Sequence, residues 1–524
     1  MKMRIIVFFM LCWGLMSCLK DNGTYIYEKE PVPVLADGAS EITVYCYGGD
    51  TARAVVKLEA LGQDSAVTAW DYEWKLLDSV LCREKDLVMY SDDIFERINL
   101  TSFPKDKAIL GVFSMKNKAS GEIYQFTTSF FMRPKYWNGQ WLILSENGSN
   151  SRLSYFQTKQ LDDELTYELV NEIFNEINGV ELQGKPMKLF THQAQNISTS
   201  VGATLVVTEG TMVELNNETF KIAAEVKDLF LDGMPEGLLV NDLVCIDQHN
   251  YMLDSRGNVY KRTFTANYLG GKYINDAFQV DDKKLKVKFF GDGPIYPTAD
   301  FLPLWDEANR RVLVISNSRT KNIYPVQDEG TKDININDMP EGTDVLYLLF
   351  KEAIWNDDTY TYDGYAYNMI YNDAEGKTWL AEFVLGKDIN ERPVCTRVSV
   401  MPFPGGDVSA NTLFFGTSSY SGPNGRIFYA KGNEIRFIDR YSYTDKPYIS
   451  FSGTITAVSF AAYADWMNGK MPYQQIAVGL ENGEFFLVDI ANPDRPRKIE
   501  ETVKNVGGKI VSLAQIGVNT HIIE

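Results

Sequence analysis

Cys18 is the residue of this chain whose chemistry is easiest to name, because it directly follows the tripeptide Leu-Met-Ser. A cysteine after Leu-x-Ser is the pattern at which bacterial lipoprotein precursors are processed. The thiol takes a diacylglycerol, the chain is cut before the cysteine, and the new amino end is acylated. We therefore predict that Cys18 is a lipid attachment site. The alternative is an ordinary secretory signal in which Cys18 has no role.

The residues before this cysteine have the composition of an export signal. Lys2 and Arg4 form a short basic end, and the apolar run from Ile5 to Leu15 is too short to span a membrane comfortably. No later apolar run approaches the roughly 18 residues that a spanning helix needs. We predict a signal peptide over residues 1–17 and a lipidated, polar tether over residues 18–37.

Length, composition and charge bound what the rest of the chain can be. A chain of 524 residues is too long for one hydrophobic core, so two or more domains are expected. An apolar fraction of 45% with 13% aromatic residues is typical of a folded globular protein. The net charge of −19 argues against nucleic acid or an anionic lipid surface as partners, since both need a basic face. We interpret the acidity as a means of keeping a surface protein soluble.

Histidine and cysteine, which supply most metal ligands and many catalytic groups, are scarce. The histidines are His192, His249 and His521, and the cysteines outside the signal and the lipid site are Cys46, Cys82, Cys245 and Cys395. None of these cysteines stands in a CxxC pair, so we predict no zinc site and no cofactor. A disulfide between Cys46 and Cys82 would suit an oxidising compartment, but we favour four isolated core cysteines.

Catalytic signatures are missing from the sequence. No GxSxG elbow, HExxH, P-loop or Rossmann glycine pattern stands in a fitting context, and we expect a protein that is not an enzyme. Paired carboxylates could serve a glycosidase, but with 70 acidic residues any one pair is uninformative. Asp333–Asn337 spaces oxygen ligands as a calcium loop does, yet it lacks the turn glycine and the closing glutamate. We favour a solvated loop there and predict no metal site.

Tyrosine is concentrated in one loop-like segment that begins at Asp357. Its members are Tyr360, Tyr362, Tyr365 and Tyr367. Exposed aromatic rings can stack on sugar rings or on peptide side chains. We predict these four tyrosines as ligand-contacting residues, the alternative being core or cross-strand pairs.

The region from about Ser40 to Met132 alternates apolar and polar residues in short runs, which is a strand pattern. Its length suits one immunoglobulin-like (PKD-like) β-sandwich over residues 38–134, with Trp74 as a candidate core tryptophan. The spacing of the nearby cysteines does not fit the antibody disulfide, so this would be an Ig-like domain of another kind.

Beyond Pro134 the chain repeats a unit of strand, polar turn and strand. Seven such units can be recognised, of which one is a lone strand, and they begin at Trp141, Thr204, Tyr251, Arg311, Asn368, Ile427 and Ile476. Asn-Gly, Gly-Asn and Glu-Gly between strand runs are hairpin turns, and a period of roughly 55 residues suggests a radial repeat. We predict an all-β protein with a β-propeller over residues 135–524, favouring seven blades over six or eight. The alternative is two further β-sandwiches.

Three local patterns supplement this prediction. Leu161 to Ile177 is the one strong helix candidate, because acidic and apolar residues fall on opposite sides. Asn372–Trp379 resembles the Asp-box of sialidase-like propellers, with alanine at the aspartate position and asparagine at the serine position. That box is a folding element of a hairpin, so it favours a propeller without favouring a sialidase. Residues 232–237 also resemble residues 337–342, about two periods later.

Three segments resemble the PKD-like lipoproteins of Bacteroidetes. Cys18–Tyr27 resembles their opening, Cys-x-Lys-Asp-x-Gly-x-Tyr-x-Tyr. Tyr72–Trp74 matches the Tyr-x-Trp strand of their Ig-like segment, and Trp141–Gly148 matches a Trp-Leu-Ile-Leu-Ser-Glu-x-Gly passage before their β-rich C-terminal region. The chain departs from the family in offering one sandwich where two PKD-like modules would be looked for.

The resemblance implies a setting in nutrient uptake, beside a TonB-dependent transporter of the SusC type and its SusD-type lid. We therefore expect a lipid-anchored, surface-exposed lipoprotein of the outer membrane. It would bind oligosaccharide or oligopeptide, dock on such a transporter complex, or do both, with no nucleic-acid partner. A propeller glycosidase or polysaccharide lyase is the alternative, and a scaffold without a small ligand is a third hypothesis.

Overall fold

The computed structural model describes most of the chain after Pro31. The described residues are 32–59, 67–100, 103–104, 107–137, 139–161, 164–192, 202–246, 249–263, 271–293, 300–316, 322–409, 411–416, 426–439, 442–461, 474–492 and 494–517. Strands dominate them, which confirms the all-β prediction. The signal peptide and Cys18 lie outside the described residues. Within the described ranges, no helix is both long and apolar enough to cross a membrane.

The chain divides into two compact units. The first lies within Met1–Ser102 and Lys107–Met132, and the second within Phe103–Asp106 and Arg133–Glu524. Each unit is built mainly from antiparallel strands with its own buried side chains.

Besides the 3-10 helices Ala36–Gly38 and Val67–Ala69, the first unit has nine strands and one short α-helix among its described residues. They are β1 (Val34–Leu35), β2 (Ile42–Tyr47), β3 (Thr51–Ala54), β4 (Leu58–Glu59), β5 (Trp70–Leu76), β6 (Ser79–Cys82), β7 (Leu87–Tyr90), α1 (Ser91–Arg97), β8 (Ile109–Asn117) and β9 (Ile123–Arg133). The main sheet has the order β2-β9-β8-β5-β6, and β1-β4 and β3-β7 form two short sheets. Trp74 on β5 is fully buried against Phe113, with ring centroids 4.8 Å apart. Its indole N–H donates to the Glu84 carbonyl oxygen at 3.1 Å, so Trp74 is a core tryptophan, as predicted.

The second unit continues as a succession of short strands. Its first part contains β10 (Trp141–Asn147), β11 (Asn150–Leu161), β12 (Glu164–Val170), α2 (Ile173–Asn178), β13 (Pro186–His192), β14 (Ala203–Thr208), β15 (Met212–Asn216), β16 (Ile222–Glu225), β17 (Val240–Ile246), β18 (His249–Asp254), β19 (Val259–Thr263), β20 (Gln279–Val280), β21 (Lys283–Lys284) and β22 (Val287–Phe290). Its second part contains β23 (Phe301–Asp306), β24 (Arg311–Ser316), β25 (Ile323–Pro325), β26 (Gln327–Lys332), β27 (Asp344–Asn356), β28 (Thr361–Asn372), β29 (Thr378–Lys387), β30 (Pro393–Pro402), β31 (Leu413–Gly416), β32 (Ile427–Lys431), β33 (Glu434–Ile438), β34 (Asp445–Ser450), β35 (Ile455–Phe460), β36 (Gln475–Leu480), β37 (Glu484–Asp489), β38 (Arg497–Asn505) and β39 (Ile510–Gln515).

These strands form seven sheets of three to five strands in the described part of the unit, besides the β20–β21 pair. In chain order they are β10–β12, β13–β16, β17–β19, β22–β25, β26–β30, β31–β34 and β35–β38, and we call them the first to seventh sheets. The last strand, β39, pairs antiparallel with β10, so that Trp141 faces Gln515 and the first sheet gains its fourth strand. Strand β13 lies against β17 and β17 against β22, while β35 lies against β31 and β39, and β39 against β13. The second to fourth sheets and the sixth and seventh sheets thus meet through their first strands, and the fourth meets the fifth through β23 and β27. With the last strand completing the first sheet, this is a propeller-like arrangement.

All seven strand-turn-strand units are the hairpin between two adjacent strands of one sheet. The pairs are β10–β11, β14–β15, β18–β19, β23–β24, β28–β29, β32–β33 and β36–β37. Gly257 and Gly376 show why the turns carry glycine, since their φ angles of 89° and 81° lie in the left-handed region. The lone strand at Arg311 is β24, whose partner β23 begins at Phe301. The hairpin prediction is therefore confirmed.

The predicted helix from Leu161 to Ile177 is wrong for most of its length. Residues 164–170 form β12, which pairs antiparallel with β11, and only α2 (Ile173–Asn178) is helical. Tyr167 and Leu169 alternate along β12 and pack against buried side chains of the first and seventh sheets. Pairing with an existing strand has outweighed the helical spacing of the same apolar residues.

Two other local patterns have clear structural roles. In the Asp-box-like hairpin, Asp373 accepts hydrogen bonds from the N–H groups of Glu375 (3.1 Å) and Lys377 (2.9 Å) and from the Trp379 indole (2.7 Å). An aspartate one position earlier than in the Asp-box thus fixes this turn. Asp333–Asn337 forms a loop in which Asp333 and Asn335 are exposed, as expected for a solvated loop, while Ile336 is buried and anchors the loop to the core.

Candidate functional site

Strands β27 and β28 are unusually long, with 13 and 12 residues. Their ladder runs from Asp344↔Asn372 to Asn356↔Thr361. The ladder between β28 and β29 stops at Tyr365↔Leu385. The end of the β27–β28 hairpin, residues 354–364, therefore extends past its pairing with β29.

Three aromatic side chains of this hairpin end are open to solvent. Trp355 is 47% exposed, Tyr362 39% and Tyr360 79%. Trp355 and Tyr362 are partners across the ladder, and their ring centroids lie 5.0 Å apart with the planes at 71°. Edge-to-face contact holds the two rings in a defined geometry while a face remains available. We call Trp355, Tyr360 and Tyr362 the aromatic crest.

The turn beneath the crest is fixed by Asn356. Its side-chain oxygen accepts hydrogen bonds from the N–H groups of Asp358 (2.9 Å) and Thr359 (3.2 Å). Its amide donates to both carboxylate oxygens of Asp363, at 3.0 and 2.8 Å. Tyr360, at the tip of the hairpin, has a φ of 54°, in the left-handed region, and its ring is exposed. A turn held by side-chain bonds presents the aromatic rings at little further entropic cost on binding.

The other two predicted tyrosines lie beneath the surface. Tyr365 is almost fully buried and lies 6.0 Å from Tyr362 between ring centroids. Tyr367 is fully buried, and its hydroxyl donates to the Phe301 carbonyl oxygen. Burial raises the pKa of both phenols well above the ordinary value, with Asp300 adding to the effect at Tyr365. Tyr367 packs in the core and cannot touch a ligand, so its prediction as a contact residue is not supported by its position.

Sequence reasoning missed Trp355, which lies before the Asp-Asp turn and not within the tyrosine segment. The available signal was a tryptophan immediately preceding the polar run Asn-Asp-Asp, where a strand ends at the surface. A loop-like segment gives no reason to expect the strand pairing that turns Tyr365 and Tyr367 inward.

A cluster of ionisable side chains lies deep between the second and third sheets. Glu214 on β15 and Arg262 on β19 are fully buried, and Arg262 Nη1 donates to Glu214 Oε1 at 2.8 Å. His192 Nε2 lies 3.4 Å from the same oxygen. Burial alone raises the pKa of Glu214, but Arg262 and His192 outweigh it and hold that pKa below its ordinary value. The cluster joins two sheets electrostatically and offers no surface to a substrate.

The cysteines are dispersed in the structure. Cys46, Cys245 and Cys395 are buried and Cys82 is half-buried, and all four are free thiols. Burial raises the pKa of Cys46 to about 12 and that of Cys395 to about 11, which disfavours the reactive thiolate at both. Among the residues with described positions, no group of three or more His, Cys, Asp or Glu side chains is placed to hold a metal ion.

Several solved structures can be superposed on much of this chain, but with low sequence identity and low TM-scores. The quinonprotein alcohol dehydrogenase-like protein of Bacteroides thetaiotaomicron is 11% identical, with 92% of this chain and 96% of that chain covered and a TM-score of 0.34. Dihydro-heme d1 dehydrogenase NirN is 12% identical, with 80% and 78% covered and a TM-score of 0.35. Sqt1 of Chaetomium thermophilum, bound to the N-terminus of ribosomal protein L10, is 11% identical, with 72% and 79% covered and a TM-score of 0.29. At these scores the likenesses carry no argument about this chain.

No curated protein matches the chain. One family does, by its sequence model. The matched segment starts at Cys18, includes the described strands of the first unit and β10–β12 of the second, and ends as β13 begins. Residues 18–186 thus match the PKD-like family, to which the sequence motifs already pointed.

Proposed function

We propose that this chain is a surface-exposed lipoprotein of the outer membrane, anchored through Cys18 and without catalytic activity. Two observations support the anchor. The lipobox pattern ends at Cys18, and the family match starts at the same residue. In this proposal the first unit is an Ig-like sandwich that acts as a spacer, and the second unit carries the binding surface.

The second unit is, in this proposal, a seven-bladed propeller in which each of the seven sheets is one blade. The order of strands supports this count, because every sheet contains one of the seven repeated hairpins and β39 completes the first. Closing a ring with strands from both ends of a chain holds those ends together and removes two open sheet edges.

The binding function is capture of an oligosaccharide or oligopeptide, docking on a SusC/SusD-type TonB-dependent transporter complex, or both. The observation that carries it is the aromatic crest, in which Trp355, Tyr360 and Tyr362 are exposed together on a hairpin end that extends past its sheet. Exposed large apolar side chains in one place mark interaction sites on soluble domains. Tryptophan and tyrosine are also the residues most enriched where binding energy concentrates.

One observation favours the enzyme alternative, a glycosidase or polysaccharide lyase. Asp357, Asp358 and Asp363 share the hairpin end with Trp355, and most glycoside hydrolases act through a pair of carboxyl groups. Incubation of the full chain with the glycans used for binding, followed by reducing-end analysis, distinguishes the enzyme alternative from the binding proposal. Cleavage that Asp357→Asn or Asp358→Asn abolishes would establish the enzyme.

The test of the binding proposal uses the full lipidated chain in mild detergent, screened against immobilised glycans and peptides. The double variant Trp355→Ala/Tyr362→Ala should lose the binding of any ligand that the wild type retains. Tyr90→Ala, which removes an exposed tyrosine of β7 in the first unit, serves as the matched control. Equal binding by the wild type and the double variant would show that the aromatic crest is not the binding surface.

A further inference from the structure

We infer that the crest end of the fifth sheet docks a partner protein that offers an apolar pocket with a basic rim. This inference rests on the proposed function, because it chooses among the ligand classes open to the same surface. A free glycan and a second copy of this chain are the occupants that it excludes.

An exposed aliphatic side chain lies at the same end of the sheet as the crest. Ile389 lies on the turn between β29 and β30 and is 99% exposed. In an antiparallel sheet ordered β30-β29-β28-β27, the β29–β30 turn and the β27–β28 turn lie at the same end. Neighbouring strands are about 5 Å apart, so Ile389 belongs to the same surface as Trp355 and Tyr362.

Ile389 and Tyr360 are the two most exposed large hydrophobic side chains among the described residues. Both are on this one end of one sheet. A branched aliphatic chain has no flat face to lay against a sugar ring, and its contribution to binding requires a pocket of apolar atoms around it. Isoleucine together with tryptophan and tyrosine therefore fits the apolar centre of a protein interface better than a glycan platform.

The turn that carries Ile389 is held in shape. Asp388 Oδ1 accepts hydrogen bonds from the N–H groups of Asn390 and Arg392, each at 2.8 Å. Its Oδ2 accepts from Arg392 Nε at 2.8 Å, and the Arg392 carbonyl oxygen accepts from the Asp388 N–H at 3.0 Å. An exposed isoleucine on a bonded turn is pre-organised for insertion, as the crest is through Asn356.

The charges around this surface specify the partner further. The cations Lys387 and Arg392 are both paired, with Asp300 at 2.6 Å and Asp388 at 2.7 Å. The exposed acids are Asp357, Asp358, Asp363 and Glu391, and none of them is in an ion pair with a cation of the described residues. An apolar patch bordered by unbalanced carboxylates attracts lysine and arginine. It repels a second copy, whose net charge is also −19.

The experiment places a photoreactive benzoylphenylalanine at position 389 of the full lipidated chain and irradiates intact outer membranes. A chain with the same group at Ile274, a half-exposed isoleucine outside the fifth sheet, is the control. The crosslinked protein is then purified and its affinity for the wild-type chain is measured. We expect Ile389→Asp to weaken that affinity at least about tenfold, while Ile274→Asp leaves it unchanged. Raising the salt from 50 to 500 mM should weaken it as well.

The possible outcomes distinguish failure of this inference from failure of the proposed function. If Ile389→Asp binds the purified protein as the wild type does, or if position 389 crosslinks only to a second copy of this chain, the inference fails. If position 389 gives no crosslinked protein while a glycan binds through Trp355 and Tyr362, the inference fails and the proposed function stands. If the wild type binds neither protein, glycan nor peptide, both fail. Because Ile389 makes almost no contact with the fold, Ile389→Asp should retain the wild-type melting temperature, which validates each comparison.

Discussion

Trp355 and Tyr362 face each other across the β27–β28 ladder with ring centroids 5.0 Å apart, at a point where the ladder no longer pairs with β29. A cross-strand aromatic pair stabilises a hairpin end that has no third strand beside it. The same exposure leaves both rings available to a ligand. Stability of the hairpin end and binding at that end therefore depend on the same two side chains.

Trp355→Ala should reduce ligand or partner affinity at least about tenfold, equivalent to roughly 1.4 kcal/mol. It should lower global stability little, because the side chain is 47% exposed and lies outside the main cores. Calorimetric titration and thermal melting of the same preparations give both values. Trp355→Phe, which keeps an aromatic face, should recover part of the affinity, and a full loss with Phe would argue for a role of the indole N–H.

Arg262→Met should lower the free energy of unfolding by about 3–5 kcal/mol, because it removes the guanidinium that pairs with the fully buried Glu214 carboxylate. Denaturant titration measures this directly. The matched control is Lys286→Met, which removes an exposed pair with Glu307 at 2.8 Å and should have an effect below about 1 kcal/mol. Similar losses for the two variants would mean that the Glu214–Arg262 pair is not buried as described.

Stability should depend on pH through Glu214, whose pKa in the folded protein lies below the ordinary value of 4.5. A depressed carboxyl pKa adds stability above the unfolded-state pKa, and this contribution is lost as the pH falls through the folded-state pKa. The stability difference between wild type and Glu214→Gln should therefore be largest at neutral pH and shrink below about pH 4.5. A difference that grows toward acid pH would contradict the direction of the shift.

Cys18→Ala should abolish the lipid and the cleavage that follows lipidation, so that the chain keeps residues 1–17, and should leave the fold of the two units unchanged. Fractionation with mass spectrometry of the wild-type N-terminus reports both the lipid and the site of cleavage. The control is Cys82→Ala, which removes the half-buried thiol in the first unit and should not alter membrane association. A wild-type N-terminus that starts elsewhere than at Cys18 or carries no lipid, or a Cys18→Ala chain that is lipidated and cleaved like the wild type, would contradict the predicted anchor.

The hairpins of the second unit were predictable because their signals are local. A glycine such as Gly257 or Gly376 between two apolar runs determines both the turn and the pairing of its flanking strands. The segment 161–177 was not predictable in this way, since its apolar residues satisfy helical and strand spacing alike. Only the presence of β11 as a pairing partner decides for a strand over residues 164–170.

The candidate site was predictable only in part for a related reason. Tyrosine spacing identified the hairpin, but the ladder partners determine which rings turn inward, and these lie on β27 and β29. The Glu214–Arg262 pair joins residues 48 positions apart, and a sequence with 70 acidic residues gives no reason to select that glutamate. Ile389 has no distinguishing sequence neighbours either, because its significance comes from exposure beside residues of another hairpin.

The most direct test of the account is co-purification with the crest intact and removed. The full lipidated chain, tagged at its C-terminus, is recovered from gently solubilised outer membranes as wild type and as Trp355→Ala/Tyr362→Ala. We expect stoichiometric recovery of a TonB-dependent transporter complex, or of a bound glycan or peptide, with the wild type, and loss of that recovery with the double variant. Equal recovery with both proteins, or recovery of the wild type alone with no ligand in binding assays, would contradict it.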